Sequence, residues 1–146
     1  MNELRSAVWE TRIEGLKLLS RGKVRDIYEV GDDLLIVATD RLSAFDCVLP
    51  DPIPEKGKVL NQISEFWFSR FTDRVPNHTI STDVDDYPEI LHPFRDQLEG
   101  RSTLAKRLEM VQVECVARGY LSGSGWKEYQ REGTVCGIPL PSGLAE

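Results

Sequence analysis

The stretch Ser20-Arg21-Gly22-Lys23-Val24-Arg25-Asp26 carries residue types that bind an anion. Gly22 lets backbone amides approach a negative ligand closely. Lys23 and Arg25 are two residues apart, so on a strand they share a face and can flank a polyphosphate. The stretch is not a Walker A loop, and no helix follows it directly. A hairpin with a solvated charged face accounts for the same residues.

A second stretch, Glu114–Tyr129, reads as a strand ending in a Gly/Ser turn that opens a helix. Helix N-termini offer free N–H groups and a partial positive charge, which suits a phosphate. Ser122 and Ser124 add hydroxyl donors, and Gly123 and Gly125 permit close approach. Arg118 can grip phosphate or carboxylate with its planar fork. The plainer alternative makes Ser124 an N-cap, Arg118 a surface charge, and Tyr120 and Trp126 packing residues.

Two loops complete the set. Asp40–Asp46 (DRLSAFD) offers two carboxylates and a serine, which can position a ligand or metal or merely cap turns. Glu55-Lys56-Gly57-Lys58 offers lysines and amides to an anion, or is a soluble helix entry. His78 and His92 sit in polar, proline-containing stretches and read as surface residues. Cys47, Cys115 and Cys136 form no CxxC pair, so neither a zinc site nor a disulfide framework is indicated. Cys115 lies in an apolar run and reads as a small buried hydrophobe.

The elements that must position these residues follow from periodicity. The first 20 residues read as an extended lead-in anchored by Leu16, Leu18 and Leu19. Lys23–Val30 and Leu34–Thr39 read as a hairpin with a three-residue loop, Gly31-Asp32-Asp33. Val24, Asp26, Tyr28 and Val30 share one side, and Lys23, Arg25 and Ile27 the other. Pro50, Pro52 and Pro54 make a stiff connector. Val59, Leu60, Ile63, Phe66, Trp67 and Phe71 recur at helical spacing, which predicts an amphipathic helix over Lys58–Phe71 packed on the sheet. Thr79–Val84 reads as a strand, and Asp85–Gly100 as irregular. Thr103–Leu108 and Val111–Val116 read as two strands joined near Glu109–Met110. Trp126–Arg131 reads as a short helix stopped at Gly133.

Composition bounds the function. The chain has 146 residues, 40% hydrophobic and 29% charged, enough to bury a core. Eighteen basic residues against 24 acidic ones leave a net charge of −6. That balance argues against general nucleic-acid or anionic-membrane binding, so an anionic ligand must be met by a few local cations. Leu34–Ala38, the longest strongly apolar run, is too short to span a bilayer, and the N-terminus lacks a signal-peptide core. The expectation is a soluble cytoplasmic protein.

The segments RGKVRDIY (Arg21–Tyr28), ATDRLSAFD (Ala38–Asp46), KGKVLNQIS (Lys56–Ser64) and VECVARGYLSGSGWKEY (Val113–Tyr129), with LPSGL (Leu140–Leu144), occur in one order. In that order the chain resembles the SAICAR synthetase family of purine biosynthesis, from about Leu19 to its last residue. The resemblance implies an α+β fold with an ATP-grasp or kinase-like pair of lobes. Residues 1–109 would form a β-rich first lobe with one long helix. Residues 110–146 would form the interlobe link and the start of the second lobe.

The resemblance also implies the chemistry. Such an enzyme couples carboxyaminoimidazole ribonucleotide to L-aspartate using ATP and magnesium, through an acyl phosphate. Gly22, Lys23 and Arg25 match its phosphate-contacting strand and turn. Lys106 matches a position on the strand leading to the interlobe link, and Met110 to Val113 would face adenine. Arg118, Ser122 and Ser124 match the segment holding the ribonucleotide phosphate, and Asp46 and Lys56 border the same cleft. No residue here matches a metal ligand, because family members run on past this chain's end. The chain is therefore expected to be a fragment, inactive in isolation. A non-catalytic nucleotide-binding module is the rival reading.

Overall fold

The structure, a computed structural model, describes residues 7–113, 115, 117 and 119–145. The chain divides into two compact units, Met1–Glu109 and Met110–Glu146.

The first unit is built on a five-stranded antiparallel sheet. In chain order its strands are β1 (Lys17–Arg21), β2 (Arg25–Val30), β3 (Asp33–Ala38), β6 (Thr79–Ser81) and β7 (Ser102–Lys106). They lie side by side as β1-β2-β3-β7-β6. A small hairpin, β4 (Ser43–Ala44) with β5 (Cys47–Val48), interrupts the chain after β3. The 16-residue helix α1 (Lys56–Phe71) follows. Short 3-10 helices at Val84–Asp86 and Glu89–Phe94, then the short α2 (Arg95–Leu98), lead into β7.

Alternation along β2 and β3 decides which sheet face is the core. Asp26, Tyr28 and Val30 are buried, as are Leu35 and Val37 opposite them. Tyr28, Val30, Leu35 and Val37 pack with Ile13, Val84, Leu91, Leu98 and Leu104 in one hydrophobic cluster. The β2–β3 loop is shorter than expected. Val30 pairs with Asp33, so only Gly31 and Asp32 turn the chain. Gly31 has φ 59°, a left-handed value that a two-residue hairpin loop needs and glycine supplies without strain.

The lead-in is anchored differently from the expectation. Leu18 and Leu19 stay largely exposed on the edge strand β1, while Thr11 and Ile13 are buried and only Leu16 packs on the core. An edge strand has a neighbour on one side only, so its leucines gain little burial.

The helix forms where periodicity places it, but it turns a different face to the sheet. Only Gly57 and Asn61 are buried along it. Asn61 donates to Ser102 O (3.1 Å) and accepts from Thr103 Oγ1 (2.9 Å), so polar bonds tie the helix to β7. The apolar residues Val59, Leu60, Ile63, Phe66, Trp67 and Phe71 remain exposed.

The second unit contains α3 (Gly123–Glu132) and the hairpin β8 (Thr134–Val135) with β9 (Ile138–Pro139). Gly133 ends α3 at φ 70°, its N–H bonded to Tyr129 O (2.8 Å). The helix begins three residues before the expected Trp126. The expected strand over Val111–Val116 is not formed among its described residues, which are exposed and irregular. A strand needs a neighbour to take its backbone bonds, and none pairs there. Cys115 is exposed, contrary to its apolar context. None of the unit's described residues is buried. Among the described residues, no helix is long and apolar enough to cross a membrane.

Candidate functional site

The turn between β1 and β2 is held from beneath by Arg41. Gly22 N–H bonds Arg25 O at 2.8 Å, closing the turn. The Arg41 guanidinium donates to Gly22 O (3.0 Å), Arg25 O (3.2 Å) and Lys23 O (3.2 Å). It is 4% exposed, and its charge is met by Asp26 Oδ1 at 2.8 Å. Asp26 also accepts from Thr11 N–H (2.8 Å) and Arg21 Nε (3.2 Å). Burial alone would raise its carboxyl, but the Thr11 bonds and Arg41 outweigh burial and hold it below the usual carboxylate range.

With its carbonyls pinned below, the turn presents Lys23. Its ammonium lies 2.5 Å from Asp46 Oδ1 at the tip of the β4–β5 hairpin. Phe45 and Asp46 form that tip with φ 49° and 63°. Left-handed backbone is unfavourable for non-glycine residues, so this tip is strained, and the Phe45 ring is fully exposed.

A second pin fixes the entry to α1. Asp40 is fully buried and accepts from Val8 N–H (2.7 Å), Gly57 N–H (2.8 Å) and Arg101 Nη1 (2.8 Å). Burial pushes its carboxyl up, and the Arg101, Gly57 and Val8 bonds more than reverse that. Gly57 sits so close to β3 that a Cβ there would meet Ala38 O at 2.1 Å. Lys56 precedes it at the start of the helix. Burial lowers its ammonium, Asp40 raises it and Arg25 lowers it further, so Lys56 and Arg25 are neighbouring cations near Asp40. Arg25, Ile36, Leu60, Phe68 and Thr103 line a hollow of about 230 Å³ between the sheet's second face and α1.

The structure thus gathers Gly22, Lys23, Arg25, Asp46 and Lys56 in the first unit. It does not bring Lys106 to them. Lys106 pairs with Asp33 at the far end of β7, whereas Arg25 pairs with Ala38 at the other end of the hairpin. Ser102, opposite Val37, lies four residues away, about 13 Å along the strand. Strand alternation also puts Lys106 on the face opposite Arg25. Asp40, Arg41 and Arg101 do the positioning. Sequence reasoning weighed Asp40 as a ligand contact or a turn cap and did not single out Arg41 or Arg101; an Asp-Arg pair after a strand was the available signal for Arg41.

In the second unit, Ser122 and Ser124 line a hollow of about 690 Å³ with Leu121, Glu128, Val135 and Ile138. Ser122, not Ser124, is the N-cap of α3, and its side chain makes no capping bond. Its hydroxyl is therefore available to a ligand. Met110 and Val113 are exposed in an irregular stretch. Arg118 lies outside the described residues.

Among the described residues, no three His, Cys, Asp or Glu side chains cluster to hold a metal ion.

The family model for SAICAR synthetase matches residues 18–146. A phosphoribosylaminoimidazole-succinocarboxamide synthase of Maridesulfovibrio salexigens is 62% identical over 140 residues, covering 95% of this chain and 47% of that protein. One of the same name from Desulfosudis oleivorans is 63% identical over 139 residues, again 95% and 47%. The SAICAR synthase of Saccharomyces cerevisiae, solved with SAICAR bound, superposes with TM-score 0.87 at 44% identity, covering 96% of this chain and 50% of that one. The chain spans about half the length of the relatives it matches. With a family match over most of its length, the chain belongs to the SAICAR synthetase family.

Proposed function

We propose that the complete protein joins carboxyaminoimidazole ribonucleotide to L-aspartate at the expense of ATP, giving SAICAR for purine biosynthesis. The Gly22–Arg25 turn, braced by Arg41, is the observation that carries this reading. A Cβ at Gly22 would meet only Arg25 O, at 3.6 Å, so the space beside the turn is open to a close ligand. Lys23 and Arg25 supply charge there, and the ligand that fits is a triphosphate. Lys56 adds a third cation near Arg25.

In this reading the ribonucleotide carboxylate takes the terminal phosphoryl group and ADP leaves. The aspartate amine then attacks the acyl carbon, losing a proton, and inorganic phosphate leaves. Every reactant is an anion, so the acidic chain must oppose its own net charge locally. Preorganised cations do this without reorganising during the reaction. Ser122 and Ser124 are read as donors to the ribonucleotide phosphate, with Arg118 beside them. Asp46 is read as a contact bordering that substrate, and Met110 to Val113 as the adenine-facing stretch. The two units are read as the first lobe and the start of the second in an ATP-grasp-like enzyme. Magnesium is assigned to residues outside those described here, and the protein is read as cytoplasmic.

The test is ATP binding to the complete protein by calorimetry. Lys23→Ala should weaken it about ten- to over a hundredfold, the worth of one charge-assisted bond. Unchanged ATP affinity would remove the turn from the site.

A further inference from the structure

Helix α1 has two faces of opposite character. Gly57, Asn61 and Phe68 turn toward the sheet, tied there by the Asn61 bonds to Ser102 and Thr103. Nearly half a turn away runs an apolar stripe of Val59, Ile63, Phe66 and Trp67, flanked by Leu60 and Phe71. Each of these six is 44–54% exposed. Phe66 meets Trp67 edge-on at 5.1 Å, and Trp67 stacks on Phe71 at 5.8 Å, so the aromatics form one continuous surface. Beyond Trp67 it deepens into an apolar hollow of about 450 Å³ reaching Val75 and Pro76. Three half-exposed aromatics alone leave on the order of 300 Å² of apolar surface uncovered. With the aliphatic residues added, this is the scale of a docking site rather than scattered exposure.

We propose that this stripe is the seat of the polypeptide that, in the relatives, follows the region matched here. Those relatives are about twice as long, and this chain covers 47% of them. The matched half keeps its fold within a solved chain of which it is 50%. A segment joined to the same unit meets the stripe at an effective concentration of about a millimolar, far above that of a second molecule in dilute solution. Self-pairing is also poorly suited. A twofold antiparallel pairing centred on Ile63 sets Arg70 of each copy against Lys56 of the other. The occupant is an apolar face, helical or extended, with few charges opposite Val59–Trp67.

Thiol accessibility tests this in the complete protein and in the 146-residue chain. Val59→Cys and Ile63→Cys, each made after Cys47, Cys115 and Cys136 are changed to Ser, are labelled with a maleimide. Ser69→Cys, exposed on the same helix a third of a turn from Ile63, is the control. In the complete protein the two stripe thiols should react at least tenfold more slowly than in the 146-residue chain, at every protein concentration. The control should react alike in both. Equal rates for the stripe thiols would overturn the proposal. So would protection already present in the 146-residue chain, which would assign the stripe to a second copy if it grew with concentration. Neither residue belongs to the proposed nucleotide or ribonucleotide site, so SAICAR formation is read separately.

Discussion

The ammonium of Lys23 sits 2.5 Å from the carboxylate of Asp46, joining two loops separated by 22 residues. In this state the cation assigned to a phosphate is already partnered, by the tip of a strained hairpin. Lys23 holds the Asp46 carboxyl below its usual range. A phosphate arriving at Lys23 must therefore displace or share that carboxylate. Asp46→Asn should leave folding unchanged, since the pair is exposed and such pairs contribute little. It should also tighten ATP binding, because the competing charge is gone. Titration of ATP against both proteins checks this, and weaker binding in the variant would show that Asp46 acts with the nucleotide rather than against it.

Two glycines separate fold from function. Gly57→Ala forces a Cβ to 2.1 Å from Ala38 O and 2.9 Å from Arg101 Nη1, so it should destabilise the first unit by several kcal/mol, on the order of an overpacked core. Gly22→Ala makes only an ordinary contact, with Arg25 O at 3.6 Å, so its melting temperature should match the parent's. Its ATP affinity should nonetheless fall. Thermal melts and ATP titrations of the pair read the two effects apart.

Asp26 and Asp40 set the acid limit of the first unit. Both are buried, and both have folded-state carboxyl groups below their ordinary values. Their stabilisation is therefore complete above the unfolded value, about 4, and lost as pH falls through the lower folded values. Urea unfolding from pH 6 down to pH 2 should show this loss. Asp40→Ala removes one partner of a buried pair with Arg101 and should cost about 3–5 kcal/mol at pH 7. Its stability should vary less with acid than the parent's.

Ser122→Ala and Ser124→Ala should each weaken ribonucleotide binding about tenfold or more, with ATP binding unaltered. Ser122 makes no side-chain cap, so the usual N-cap penalty of about 1 kcal/mol should be missing from its thermal melt. A lowered melting temperature with unchanged ribonucleotide affinity would return Ser122 to a purely structural role.

Much of the first unit was legible because its signals are local. Alternation grouped Asp26, Tyr28 and Val30 on one face of β2, the face the structure buries, and the spacing of Val59 to Phe71 named a helix. What periodicity cannot say is what an apolar face packs against. The sheet takes Gly57 and Asn61, because a close approach to Ala38 and bonds to β7 decide the helix's orientation. Lys23 and Arg25 were legible as cations on a glycine turn. Arg41 was not legible as the support of that turn, nor Asp40 and Arg101 as supports of the α1 entry, since their partners lie 15 to 61 residues away. Lys106, matched to the strand leading to the link between the units, lies by register at the end of β7 away from Arg25, a placement that residue type alone does not give.

The most direct test of the account is the reaction itself. The complete protein, incubated with carboxyaminoimidazole ribonucleotide, L-aspartate, ATP and magnesium, should form SAICAR, ADP and phosphate in equal amounts. Omitting any one substrate should abolish SAICAR. ATP bound without any SAICAR formed would contradict the account and favour a nucleotide-binding module instead.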